Sequence, residues 1–333
     1  MVYSSNQGMA DLRKNISDYL QHKYDIKYCP DGEIIVTVGG SEAIDIAIRA
    51  IVNPDDEVLI VEPSFVCYKP IVELMHGKAV PISTKEENKF KLMPDELRSH
   101  ITDKTKLLIL PYPNNPTGAI MTREDLEAIA EVLRDTNIMV LTDEIYSELT
   151  YERKHCSIAE IEGMWERTIY VSGFSKAFAM TGWRLGYLCA PKPLAAQMLK
   201  IHQYAIMCAP TMSQYAASVA LKECDEEVKK MVDEYNVRRR ILVDGFNRIG
   251  LKCFEPEGAF YVFPCIKTTG MTSEEFCSKL LEEKKVAVVP GNAFGESGEG
   301  FIRVSYAYSL KHLMQALKCI EEFVVEHKNK DNI

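Results

Sequence analysis

Residues 172–186 read Ser172-Gly173-Phe174-Ser175-Lys176-Ala177-Phe178-Ala179-Met180-Thr181-Gly182-Trp183-Arg184-Leu185-Gly186. A short apolar strand, Thr168-Ile169-Tyr170-Val171, runs into this stretch, so Lys176 follows a strand end inside a collar of small residues. A lysine in a tight, partly desolvated turn loses stabilisation of its charged form, which lowers its pKa and frees the nucleophilic amine. That is what condensation with an aldehyde requires. Eight positions later Arg184 opens the next apolar segment. A fixed guanidinium there suits a phosphate, which it grips with two parallel hydrogen bonds. Taken singly, most lysines and arginines are solvated surface groups. The strand, the small residues and the spacing together point to pyridoxal phosphate, held covalently through its aldehyde and ionically through its phosphate.

Working outward, the same pattern of strand and helix continues on the N-terminal side. Short apolar runs at 33–38, 57–61, 78–82, 105–110, 138–142, 168–171 and 185–189 read as strands, with helices at 42–52, 66–76, 94–99, 122–135 and 192–208. Continuous apolar strands alternating with helices predict an α/β fold with a mostly parallel, seven-stranded sheet covered on both faces. The character changes after residue 210. Residues 211–249 are helical in period, followed by a strand pair at 251–254 and 258–263, a helix at 272–284, strands at 286–289 and 300–305, and a helix over 309–326. This reads as a smaller α+β domain, completed by an N-terminal helix with apolar positions 9, 12, 16, 19 and 20. The expected division is 30–225 for the large domain, with 1–29 and 226–333 forming the small one. The polar end 328–333 is expected to fray.

A chain of 333 residues allows two domains. Its net charge of −9 argues against a nucleic-acid or anionic-membrane partner. No apolar run approaches the roughly 20 residues of a membrane span, and the first residues lack the regions of a signal peptide. The ten cysteines are scattered without a C-x-x-C pair, as expected for reduced thiols of a cytoplasmic protein. The histidines show no metal-ligand spacing, so no metal is expected.

Further candidates fall at strand ends, where open α/β sheets bind ligands. Gly39-Gly40-Ser41 opens a helix: backbone N–H groups and a hydroxyl there make an anion site, although alone the stretch reads as a tight turn with Ser41 as N-cap. No G-x-G-x-x-G follows a strand and no P-loop motif is present. Pro113-Asn114-Asn115-Pro116-Thr117-Gly118 is a rigid turn in which an Asn amide can donate to a ring oxygen. Asp143 ends a strand, either as a helix cap or as partner of a pyridinium nitrogen, with Tyr146 within reach of the ring's phenolic oxygen. Phe65 either packs or stacks on a flat ring. Arg303 interrupts an apolar strand with no acidic residue in it; a charge there is costly unless paired, and a substrate carboxylate would pair it.

These residues resemble the class I/II aminotransferases, pyridoxal-phosphate enzymes of the aspartate-aminotransferase fold (fold type I), across essentially the whole chain. The carrying motifs are S-x-x-S-K and G-x-R-x-G within 172–186, Asn114-Asn115-Pro116-Thr117-Gly118 and Asp143-Glu144-Ile145-Tyr146. The resemblance implies Lys176 as Schiff-base lysine and proton carrier, Asp143 on the pyridine nitrogen, and Tyr146 and Asn115 on the phenolic oxygen. It implies Phe65 on the ring plane, and Gly40, Ser41, Ser175 and Arg184 on the phosphate. Arg303, with Asn115, would take the substrate α-carboxylate, and Tyr3 would reach the phosphate of a partner subunit in a homodimer. The implied reaction is ping-pong amino transfer between an amino acid and a 2-oxo acid. Within the family the chain is similar to the broad aromatic/aspartate-like subgroup. Some aspartate-specific members carry a lysine where this chain has Ser41, so aspartate specificity is not implied by that route. Members also have an arm of several tens of residues before the position of Tyr3, and a chain lacking it is expected to be weakly active. A β-eliminating C–S lyase on the same scaffold would use the same ring-binding residues.

Overall fold

The computed structural model describes residues 3–328. Strands β1 (Ile34–Thr37), β2 (Glu57–Glu62), β3 (Lys78–Ser83), β4 (Thr105–Leu110), β5 (Met139–Asp143), β6 (Thr168–Gly173) and β7 (Gly186–Cys189) form one seven-stranded sheet in the order β1-β7-β6-β5-β4-β2-β3. The β2, β3, β4, β5 and β6 pairings are parallel, and β7 runs antiparallel to both its neighbours. Helices α1 (Ala10–Tyr24), α2 (Gly40–Ile51), α3 (Tyr68–Leu74), α4 (Pro94–His100) and α5 (Arg123–Leu133) interleave with the first strands. A single helical turn α6 (Phe174–Ala177) follows β6, and α7 (Lys192–Ala205), α8 (Thr211–Glu223) and α9 (Asp225–Ile249) follow β7.

Side chains alternate across a strand, so each central strand feeds two cores. Leu59, Val61, Leu108 and Leu110 face Leu126, Ile129 and Leu133 of α5. Their neighbours Val58, Ile60, Leu107 and Ile109 face Ile44, Ala47 and Ile48 of α2. Apolar residues on both faces explain why these strands read as unbroken runs. The edge strand β3 leaves Lys78, Pro81 and Ser83 exposed, polar residues and a proline that discourage further pairing.

The smaller unit is a three-stranded antiparallel sheet in the order β8-β10-β9, built from β8 (Tyr261–Val262), β9 (Val289–Pro290) and β10 (Ile302–Ser305). Phe246 of α9, Phe276 and Leu280 of α10 (Ser273–Lys284), and Leu317 and Phe323 of α11 (Leu310–Lys328) form its core. Two expectations need correction. The N-terminal helix does not complete this unit: Leu12, Ile16 and Leu20 of α1 pack with Val36, Tyr170 and Tyr187 of the large sheet and Ala217 of α8. Its apolar stripe required a partner, and the face of β1, β7 and β6 supplies one. Residues 251–254 form no strand, only an isolated bridge between Cys253 and Pro264. Pro256 and Pro264 supply no N–H to a ladder there. The end expected to fray lies, from residue 329, outside the described residues. All ten cysteines are unpaired, and among the described residues no helix is long and apolar enough to cross a membrane.

Candidate active site

The carboxyl ends of β5 and β6 bring the first groups together. β6 runs out at Gly173, where a Cβ would come within 2.8 Å of the Gly186 Cα, so only glycine lets β6 and β7 close here. Phe174 anchors the following turn in the core and leaves Lys176 half-buried, its Nζ 5.8 Å from the Tyr146 ring centre and 5.5 Å from that of Phe260. Burial lowers the pKa of Lys176, the positive Arg303 and Arg184 lower it further, and Asp143 opposes them.

Arg184 sits in the left-handed region at φ 49° and donates from Nη1 to the Thr181 carbonyl at 3.0 Å. A non-glycine residue held there is strained, which its neighbours must impose. Its guanidinium lies against Gly39, where a Cβ would stand 2.6 Å from Nη2, and Gly39 itself has φ +81°. Both facts demand glycine. Ser41 is not the N-cap of α2: Gly39 holds that position, and no side chain caps the helix. The exposed Ser41 hydroxyl and the first N–H groups of α2 therefore remain for an anion beside Arg184.

Asp143 is buried at the end of β5; Tyr68 donates to its Oδ2 at 2.7 Å and the Ile145 amide to its Oδ1 at 3.2 Å. Burial raises its pKa, while these two bonds favour the carboxylate. A cation beside it would complete that balance. The Tyr146 hydroxyl lies 2.8 Å from that of Tyr261, and burial holds its pKa well above the ordinary value, so it stays a protonated donor. Arg303 of β10 donates from Nη1 to Asn115 Oδ1 at 2.9 Å. Its guanidinium carbon lies 4.6 Å from the Tyr261 ring centre and 4.8 Å from that of Phe294. Its buried Nε has no partner among the described residues. Asn114, by contrast, is turned inward as scaffolding, with its side chain donating to Pro63 O and accepting from Thr117.

Gly40, Ser41, Phe65, Asn115, Asp143, Tyr146, Ser175, Lys176, Arg184 and Arg303 all line one cavity of about 250 Å3. Tyr3 does not. It is 81% exposed. Two further lining residues, Tyr68 and Tyr261, are not marked out by the sequence. Tyr68 had a weak signal, an aromatic three residues beyond Phe65, and the two rings meet edge-on at 6.0 Å. Tyr261 had none, because its partner Tyr146 is 115 positions away.

The donor set fits pyridoxal phosphate: an amine whose pKa is lowered, a buried carboxylate with no ion pair among the described residues, a protonated phenol, an aromatic wall, and glycines beside an arginine at a helix start. Comparison with known proteins agrees. The family described as "Aminotransferase class I and II" matches residues 1–320. The protein YugH of Bacillus subtilis (strain 168) is 52% identical over 97% of this chain and 83% of its own length. An aspartate aminotransferase of Pyrococcus abyssi (strain GE5 / Orsay) is 44% identical over 98% of this chain and 85% of its own. The crystal structure of an aromatic aminotransferase from Pyrococcus horikoshii OT3 superposes with a TM-score of 0.96 at 43% identity, covering 98% of this chain and 88% of that one. The chain belongs to the class I and II aminotransferases, pyridoxal-phosphate enzymes of fold type I.

Proposed function

We propose that this cavity moves the amino group of an L-amino acid to a 2-oxo acid, with Lys176 as both the aldehyde-binding amine and the proton carrier. The supporting observation is the convergence of Lys176, Asp143, Tyr146, Arg184 and Arg303 on one cavity. When bound, the cofactor supplies an electron sink for the charge left by removal of the substrate's α-proton. Lys176, with its lowered pKa, would carry that proton from the substrate Cα to the cofactor's C4′. Asp143, steadied by Tyr68, holds the proton on the ring nitrogen. Tyr146 and the amide NH2 of Asn115, which has no partner among the described residues, would donate to the phenolic oxygen, and Phe65 would cover the ring plane. Gly40, Ser41, Ser175 and Arg184 hold the phosphate, and Arg303 takes the substrate α-carboxylate.

The donor's side chain meets mostly apolar walls. Among the described lining residues the cations are Lys176, Arg184 and Arg303, each already assigned, while Ile44, Phe65, Ile145 and Tyr261 are apolar or aromatic. No cation remains for a second carboxylate, so aromatic donors should outperform aspartate. Assayed on the cofactor-loaded protein, aromatic amino acids should give the highest kcat/KM with 2-oxoglutarate, with glutamate forming in step with the new oxo acid. Aspartate as best donor would refute the side-chain assignment. Release of pyruvate and ammonia without an oxo acid would refute amino transfer; nothing in the comparisons favours such a lyase.

A homodimer, with Tyr3 reaching the phosphate of the partner subunit, fits the apolar residues exposed on α7, on α8 and beside Arg184. Trp183, Tyr204, Met212, Tyr215 and Val219 are exposed, as is Tyr3, and hydrogen bonds from Asn6 to Gln203, from Gln214 to Ser4 and from Ser213 to Trp183 tie the segments that carry them together, an exposed apolar group of the kind that marks an interface. Sedimentation should give twice the chain mass at micromolar concentration; a monomer would sink the proposal. The ten unpaired cysteines suit a cytoplasmic location, and recovery in an oxidising compartment on cell fractionation would count against it.

A further inference from the structure

The first turn of α2 carries a carboxylate beside the proposed phosphate cradle, and a residue from a distant helix restrains it. Glu42 follows Gly40 and Ser41 and is only 11% exposed at its side chain. Its Oε2 accepts the Val38 N–H, the amide just before the cradle glycines, in the manner of an acid at the third helical position reaching back over a helix start. Its Oε1 lies 2.6 Å from Nδ1 of His202, a fully buried residue of α7 that is 160 positions away. The Nε2 of His202 has no partner among the described residues, so Glu42 is its side chain's polar anchor. Two further contacts bear on the same turn: Thr37 Oγ1 donates to the Gly39 carbonyl at 3.0 Å, and the Arg184 guanidinium lies close enough that a Cβ at residue 39 would stand 2.6 Å from its Nη2. Glycine at 39 and 40 gives this segment little stiffness of its own, since glycine populates many backbone conformations.

We propose that His202, acting through Glu42, is a positioning residue for the phosphate cradle. The inference rests on the reading above that the start of α2 and Arg184 hold the phosphate. His202 fixes the Glu42 rotamer, Glu42 fixes the Val38 amide, and that amide fixes the direction of the Gly39–Gly40–Ser41 N–H groups. Losing the pair would let those donors turn away from a common point. Neither side chain lines the cavity, so the effect is felt through geometry and falls on the phosphate alone.

The test is titration of the cofactor-free protein with pyridoxal phosphate, with pyridoxal and with inorganic phosphate. In His202→Phe, affinity for pyridoxal phosphate should fall roughly tenfold, the worth of one charged hydrogen bond, while affinity for pyridoxal stays within about twofold. His202→Asn, which keeps a donor near Nδ1, should restore most of the loss. Glu42→Ala should match His202→Phe, and the double variant should be no worse than the weaker single one, because the two act as a unit. If the buried substitution does not fold, Glu42→Ala at its partly exposed position gives the same reading. Equal losses for both aldehydes, additive losses in the double variant, or unchanged affinities would overturn the proposal. Wild-type protein that binds both aldehydes equally would overturn the phosphate assignment of α2 itself, a separable result.

Discussion

Lys176→Ala is expected to abolish amino transfer, with turnover falling by at least ~10²–10⁴-fold, the range of a lost general acid–base group. The fold should be unaffected. Among the described residues Lys176 donates no hydrogen bond; its amine lies near the rings of Tyr146 and Phe260, and its charge is already disfavoured by burial and by Arg303 and Arg184. Removing that charge should leave the melting temperature unchanged or slightly raised. Borohydride should fix cofactor to the wild type and none to the variant. The sign of the pH dependence follows from the same causes. A lysine whose pKa is depressed sheds its proton at lower pH than an ordinary lysine, so aldehyde trapping by the cofactor-free protein should rise through a midpoint below the usual lysine value. The folded state binds fewer protons than the unfolded one between the two pKa values, so this residue's contribution to stability increases with pH across that window. A midpoint at or above the ordinary value would show that Lys176 is solvated, and full turnover in Lys176→Ala would remove it from the chemistry.

The groups that were legible in the sequence share one property: their meaning is local. Lys176 and Arg184 lie in one stretch, and Asp143, Asn115 and Gly40 stand at the ends of apolar runs whose unbroken character follows from burial on both faces. The contacts that tune those groups are not local. Tyr68 reaches Asp143 across 75 positions, Tyr261 meets Tyr146 across 115 and Arg303 meets Asn115 across 188. Only the closed sheet and the docking of the smaller unit bring them together. The helix α1 shows the same limit. Its stripe of Leu12, Ile16 and Leu20 states that it packs, while the choice of the large sheet over the smaller unit depends on an apolar face assembled from β1, β6 and β7. Residues 251–254 mislead in the opposite sense, since Leu251-Lys252-Cys253-Phe254 suggested one strand of a pair that Pro256 and Pro264 cannot support.

Arg303 is where a structural and a functional role predict opposite results. A charged group this enclosed is costly unless paired, yet no carboxylate pairs with it among the described residues. Nη1 is spent on Asn115, Nε has no partner, and the rings of Tyr261 and Phe294 flank the guanidinium. Such a site holds an extended guanidinium ready for an incoming anion, its planar fork matched to a carboxylate. Arg303→Leu should therefore weaken binding of amino acids and of carboxylate inhibitors about 10- to 150-fold, for one charged bond worth about 1.5–3 kcal/mol. Arg303→Lys should recover little, because an ammonium keeps the charge and loses the fork. A substrate amine that lacks the carboxylate should bind both variants as it binds the wild type. Stability separates the two roles. If Arg303 mainly braced the fold, Arg303→Leu would melt several degrees lower; if it awaits a carboxylate, removing an unpaired charge from a half-buried strand should leave the melting temperature of the substrate-free protein unchanged or higher. A destabilised variant with undiminished carboxylate affinity would refute the substrate role.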